Sequence, residues 1–174
     1  MMNLIVTCAR HLEGDTEDEL IDILDELGDS DVKISVSSMS GIITAETKLD
    51  PIQVVRKMKE MLLDEPWSIR YCLRVIPIER VIETGIEEIE KTISSMSNQI
   101  EEKESYRILI EKRNSDISSK EVITKVANKI KNKVSLDFPD KIILIEILGI
   151  VTGISIIKKS DILSLEKTKR SMSD

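Results

Sequence analysis

Between Ser105 and Ile157 the chain reads as strand, helix, strand, then a glycine and a further apolar run, Ile150 to Ile157, and local pattern, charge and signature coincide there. Tyr106, Ile108 and Ile110 alternate with Arg107, Leu109 and Glu111, the period of two that a pleated strand imposes, and the run ends on Lys112-Arg113-Asn114. Ser118-Ser119-Lys120-Glu121 has capping-box spacing: the Ser118 oxygen can take the Glu121 amide proton and the Glu121 carboxylate can return to the Ser118 amide, so a helix is predicted to start there. Val122, Ile123, Val126, Ala127, Ile130 and Val134 then fall on one stripe at 3.6 residues per turn. Ile142 to Leu148 is apolar except for Glu146, as suits a strand covered on both faces. This is a crossover unit with parallel strands, expected to be right-handed.

Four features of this stretch carry a family resemblance: Lys112-Arg113-Asn114 ending a strand, Ser119-Lys120-Glu121 opening a helix, Leu136-Asp137-Phe138-Pro139 before a buried strand, and Ile145-Glu146-Ile147 within it. Together they resemble a THUMP domain, an RNA-binding module of tRNA thiolation, methylation, pseudouridylation and acetylation factors. The chain looks most like the free-standing form, the tRNA-binding adaptor of a tRNA cytidine N4-acetyltransferase. The resemblance implies tRNA and that acetyltransferase as partners, with no cofactor of the chain's own. Arg74 and Pro77 resemble the family's arginine and proline at a junction between two domains.

The part before residue 105 has its own pattern. Asn3 to Ala9 reads as a strand, and Asp15-Thr16 followed by Glu17, Asp18 and Glu19 opens a helix with acids where its dipole favours them. Leu20, Ile23, Leu24 and Leu27 are its buried stripe, and Gly28 suits its left-handed end. Val32 to Ser37 and Gly41 to Thr47 are two strands around a hairpin turn, and Asp50-Pro51 starts a second helix with Asp50 as cap. Ile69 to Ile78 is a fourth strand. The order βαββαβ is the ferredoxin-like pattern. The fold expected is therefore α+β: an N-terminal ferredoxin-like domain over 1–80, then an α/β THUMP domain over 81–170. Thr84-Gly85-Ile86-Glu87 has the spacing of another capping box, and either one long helix or two broken ones fills 85–103.

Composition narrows the function. No apolar run nears the roughly 20 residues that span a bilayer, and no leader pattern opens the chain, so a cytoplasmic protein without a membrane is expected. With one histidine and two cysteines, no metal-ligand spacing exists and no metal is expected. Cys8 and Cys72 sit in apolar runs as structural thiols, and Cys8 with His11 lacks an activating third group. Gly149 and Gly153 match no phosphate-loop spacing and fit a turn and a close backbone approach. Glu146 has no partner carboxylate in the pattern, so it is expected to pair with a cation or a backbone group. With no catalytic constellation and no further domain in 174 residues, the expectation is a protein that is not an enzyme.

The net charge of −7 conceals an asymmetry: residues 1–104 hold 11 Lys and Arg against 23 Asp and Glu, and residues 105–174 hold 14 against 9. Basic residues in the second stretch are the candidate RNA contacts: Lys112, Arg113 and Asn114 at the strand exit, Lys120 at the helix start, and Lys125, Lys129 and Lys133 at i, i+4, i+8. Arg113 suits bidentate phosphate contact and Asn114 can read a base edge or make a turn. The three lysines would span about two helical pitches, roughly 11 Å, as a row of phosphate contacts or as a solvated face. Arg74 joins the set, with Arg70 on the same strand face extending the basic surface or binding the acidic first domain. The competing function is a protein-interaction or small-molecule regulatory module without RNA affinity, because a ferredoxin-like fold serves many ends.

Overall fold

In the computed structural model, which describes residues 1–173, the chain divides into two compact units: residues 1–78 together with residues from 160 onward, and residues 79–159.

The first unit opens as β1 (Leu4–Thr7), α1 (Glu13–Leu27), β2 (Lys33–Val36), β3 (Ile42–Glu46), α2 (Pro51–Asp64) and β4 (Arg74–Pro77). The strands pair antiparallel in the order β2-β3-β1-β4. Leu4, Val6, Ile43, Ala45 and Val75 of the sheet pack with Leu20 and Leu24 of α1 and Val55, Met58 and Leu62 of α2. The helix signals act where the residues place them, with one shift. Asp50 Oδ1 accepts from the amides of Ile52 (2.9 Å) and Gln53 (3.4 Å) and Pro51 takes the first helical position. Gly28 ends α1 at φ 116°, and the Gly28 and Asp29 amides return to the carbonyls of Asp25 and Leu24. The start of α1 is two residues earlier than the acids indicate, because Thr16 Oγ1 donates to the Leu12 carbonyl (2.6 Å) from inside the first turn instead of capping it.

The fourth strand is shorter than its apolar run. One carboxylate of α1, that of Glu19, accepts from the amides of Arg70 (2.8 Å), Tyr71 (3.0 Å) and Cys72 (3.0 Å). Those donors are then lost to a strand ladder, so regular pairing begins only at Arg74. Arg70 therefore does not share a strand face with Arg74, contrary to the alternation read from the sequence; its guanidinium lies 5.9 Å from the centre of the Tyr71 ring.

The second unit comprises β5 (Arg80–Glu83), α3 (Ile86–Met96), β6 (Tyr106–Arg113), α4 (Ser119–Lys129), β7 (Lys141–Leu148) and β8 (Val151–Ile157), with a single 3₁₀ turn at 97–99. Its sheet runs β5-β8-β7-β6; β6 and β7 are parallel from Tyr106–Lys141 to Arg113–Leu148, and the other pairs are antiparallel. Ile89, Ile93, Val122, Val126, Ile143, Ile145 and Ile147 form the core between sheet and helices. β5 is a strand that the residue pattern does not announce. Thr84 does not cap α3: its Oγ1 is engaged with Thr152 Oγ1 across the sheet (2.8 Å), and Gly85 stands at the cap position without a side chain to offer. The segment 85–103 is an 11-residue helix followed by the 3₁₀ turn, where Ser94 and Ser97 hydroxyls donate back to the carbonyls of Glu90 and Ser94.

The crossover helix keeps its predicted start, with Ser118 Oγ accepting from the Glu121 amide (3.2 Å), but ends at Lys129. Val134 is consequently not on its stripe; it forms a parallel bridge with Tyr106 and is exposed, as is Ile123.

After Lys159 the chain returns to the first unit. β9 (Leu163–Ser164) pairs antiparallel with β4, and α5 (Leu165–Met172) follows, capped by Ser164 Oγ on the Lys167 amide (3.4 Å). Leu163 and Leu165 are buried in the first unit's core. The second domain therefore does not run to residue 170. Two leucines in a short, charged tail give too weak a period to announce this in sequence.

Candidate nucleic-acid interface

Strand β6 is an edge strand of its sheet, bridged on its outer side at Tyr106 by Val134, and alternation sorts its side chains into two sets. Tyr106, Ile108 and Ile110 face the helices and pack on the core; Lys112, next in that series, sends its ammonium to the Ile117 carbonyl (2.8 Å) and braces the loop into α4. Arg107, Leu109, Glu111 and Arg113 belong to the opposite set. The exit from β6 is fixed in three ways. Asn114 adopts φ 53°, a left-handed turn that Asn tolerates, the Arg113 carbonyl accepts from the Gly149 amide (2.8 Å), and Ser115 Oγ accepts from the Ile117 amide (3.3 Å). Gly149 itself stands at φ 62° in the turn between β7 and β8, where a side chain would be strained.

This end of the unit thus gathers Lys112, Arg113, Asn114, the start of α4 and Lys120, all exposed. The side chains of Arg113 and Lys120 make no ion pair or hydrogen bond among the described residues. An unengaged guanidinium and ammonium beside the positive end of a helix dipole are equipped to hold phosphate. Glu111, Asp116 and Glu121 interleave with them, so the local field is mixed and contact would depend on individual groups.

The remaining candidates separate from this cluster. Lys125 follows one and a half turns into α4 and Lys129 ends it, about 14 Å along the axis from Lys120. Lys129 lies 3.8 Å from Glu90 of α3, a pairing that screens its charge. Lys133 is past the helix end, and its carbonyl accepts the Tyr106 amide, so the predicted i, i+4, i+8 row is cut to Lys125 and Lys129. Arg74 lies in β4 of the first unit, half-buried, opposite Thr7 and Ser164. Arg107 was missed: its guanidinium donates to the Leu136 carbonyl (3.2 Å), and the signal available was its place in the same alternating set as Arg113. The excess of positive charge after residue 104 is not the property of a structural unit either, since residues 79–159 hold 14 basic and 14 acidic side chains.

Neither cysteine is poised as a nucleophile. Burial pushes the Cys72 thiol well above its ordinary pKa, reinforced by the Glu19 carboxylate, and burial raises Cys8 as well, so both stay protonated. Among the described residues no group of three or more His, Cys, Asp or Glu side chains is arranged to hold a metal, and no helix is long and apolar enough to cross a membrane. Glu146 is buried in β7, opposite Gly153 of β8.

The second unit is a mixed α+β fold with a basic strand exit beside its crossover helix. Residues 83–157 match the family model of the THUMP domain, and the chain therefore carries one. No curated protein matches the chain in sequence. Among solved structures, PH1313 from Pyrococcus horikoshii OT3 superposes with a TM-score of 0.62 at 20% identity, over 91% of this chain and 55% of that one. TrmN from Thermus thermophilus gives 0.61 at 14% identity, over 90% and 45%. A possible methylase from Clostridium difficile 630 gives 0.58 at 19% identity, over 90% and 41%. The likeness is one of fold, and the chain spans about half the length of these proteins.

Proposed function

We propose that this chain is a tRNA-binding adaptor that presents tRNA to a separate cytidine N4-acetyltransferase and performs no chemistry of its own. The observation that carries the RNA part is a THUMP domain whose Arg113 and Lys120, at one end of the fold, have charged groups engaged with nothing else in the described protein. The first unit is read as a ferredoxin-like domain; its strand order β2-β3-β1-β4 with α1 and α2 as the connections supports that reading. Acetyl-CoA and the acetyl-transfer machinery then belong to the partner, and the residues predicted to meet RNA remain Lys112, Arg113, Asn114, Lys120, Lys125, Lys129, Lys133 and Arg74.

The test is a titration with unmodified tRNA at rising salt, alone and with the acetyltransferase. The adaptor reading expects affinity that falls steeply with log salt, ternary complex formation, and acetylcytidine in tRNA only when the enzyme is present. Acetylcytidine produced by the purified chain with acetyl-CoA and ATP would sink it.

A second reading is favoured by one feature of the first unit. A cavity of about 580 Å³ between α1 and residues 61–71 is lined by Asp15, Asp18, Asp22, Glu26, Asp64 and Glu65. A module that docks a cationic partner there, and binds no RNA, would show no tRNA affinity at low salt in the same titration.

A further inference from the structure

We propose that Phe138 is a stacking platform for an unpaired base of bound RNA, an inference that rests on the RNA-binding reading above. Phe138 is the only phenylalanine of the chain, in a protein with four aromatic residues, and it is 87% exposed. Tyr106, by contrast, is buried in the core of the same unit. Leu136 (66%) and Val134 (51%) accompany Phe138 at alternate positions, so the loop between α4 and β7 presents a run of apolar side chains to solvent.

The loop is pinned on both sides of the ring. The Tyr106 amide donates to the Lys133 carbonyl (3.0 Å) and the Ser135 amide to the Tyr106 carbonyl (2.9 Å), which extends the sheet edge by one bridge. The Arg107 guanidinium holds the Leu136 carbonyl, the Phe138 amide reaches Ser135 Oγ (3.3 Å), and the Ser105 amide donates to Asp140 Oδ2 (2.8 Å). Pro139 restricts the backbone of Phe138 further. An apolar loop that is already ordered loses little freedom when a ligand covers it.

Its flanks indicate the ligand. Lys131 and Lys133 are exposed on the same segment, and Arg107, a planar cation with donors to spare, is bound two residues from the ring; Asp137 is the one acid among them whose carboxylate the loop does not use. A protruding ring on a loop that carries Lys131 and Lys133 and is held by Arg107, with Asp137 beside the ring and the Glu101–Glu104 segment tied to the loop through Asn132, matches a strand in which bases and phosphates alternate, since every base offers a π-face to the ring and every phosphate an anion to the lysines. A duplex hides those faces in its own stack, which selects single-stranded RNA.

The test uses the full chain and a single-stranded RNA oligonucleotide, with blunt duplex RNA of equal length as control. Phe138→Ala is expected to weaken single-strand binding roughly 5- to 150-fold with the salt slope unchanged, because stacking and not counterion release is removed. Duplex binding is expected to stay as in the parent. Phe138→Trp in a Trp67→Phe background is expected to keep the affinity and to lose indole emission when RNA binds. The variants are checked for an unchanged melting temperature, as the exposure of the ring requires. If the parent binds no RNA, the RNA reading falls and this inference with it. If the parent binds and Phe138→Ala binds equally, Phe138 is no platform while the RNA reading stands. A loss accompanied by a lower salt slope, or a loss confined to a protein partner, would likewise overturn the proposal, the latter by making the loop a protein-docking surface.

Discussion

Helices α1 and α4 bury comparable stripes, Leu20, Ile23 and Leu24 in one and Val122 and Val126 in the other, yet their outer faces carry opposite charge. α1 holds eight acids, from Glu13 to Glu26, and no basic residue, whereas α4 holds Lys120, Lys125 and Lys129 against Glu121 alone. The apolar stripe fixes how a helix packs; the face left in water sets which ions or partners approach. In the first unit the acids also do internal work, with Glu19 and Asp29 holding backbone amides, while in the second Arg113 and Lys120 hold nothing. Charges already engaged inside a fold stabilise it, and unengaged ones are available to a ligand.

The largest expected effect tests where the first unit ends. Leu163→Ala removes a fully buried side chain from β9 and should cost about 2–5 kcal/mol. Denaturant unfolding followed by Trp67 should show the loss; a midpoint unmoved from the parent would detach the tail from that core and restore a second domain running to 170.

Charge changes on the two helices sharpen the contrast. Arg113→Ala with Lys120→Ala should weaken tRNA binding and lower the salt slope by about one unit per lost contact, with folding changed by no more than about 0.5 kcal/mol. Neutralising Asp18, Asp22 and Asp25 of α1 as the amides should leave affinity unchanged or slightly higher. Fluorescence anisotropy across a salt series decides: equal losses from both sets would mean that a diffuse field, and not α4 and its approach, carries binding.

The smallest effect is in acid. Burial alone would raise the Asp29 carboxyl, but donation from Thr47 Oγ1 (2.6 Å) and from the Lys48 and Asp31 amides outweighs it, and its pKa is lowered. Glu13 is lowered by the Gly41 amide, and Glu46 by the N-terminal ammonium. In the second unit Glu104 is lowered by the Glu101 amide and then Lys141. A lowered folded-state pKa stabilises above the unfolded value and is lost as pH falls through the folded one. Below about pH 4 the first unit, with three such groups against one, should therefore lose stability faster. Hydrogen exchange resolved by unit is the measurement, and Asp29→Asn should flatten the first unit's pH dependence; equal acid sensitivity of the two units would remove this distinction.

What the sequence determined alone was local. Capping by Asp50 and Ser118, the turn glycine at 28, the two-sided burial of β7 and the basic exit of β6 each depend on neighbours within a few residues, and each is visible in the order of residue types. Tertiary structure decided whatever depends on distant groups. Glu19 shortened β4 from 51 residues away, Thr152 took the hydroxyl of Thr84 from α3, and Tyr106 drew residues 133–135 off the end of α4 and with them Lys133 off its row. The return of residues 163–165 to β4 and its core belongs to the same class. A backbone amide points one way and a side chain is buried in one place, and when the better partner is far along the chain, local pattern cannot name it.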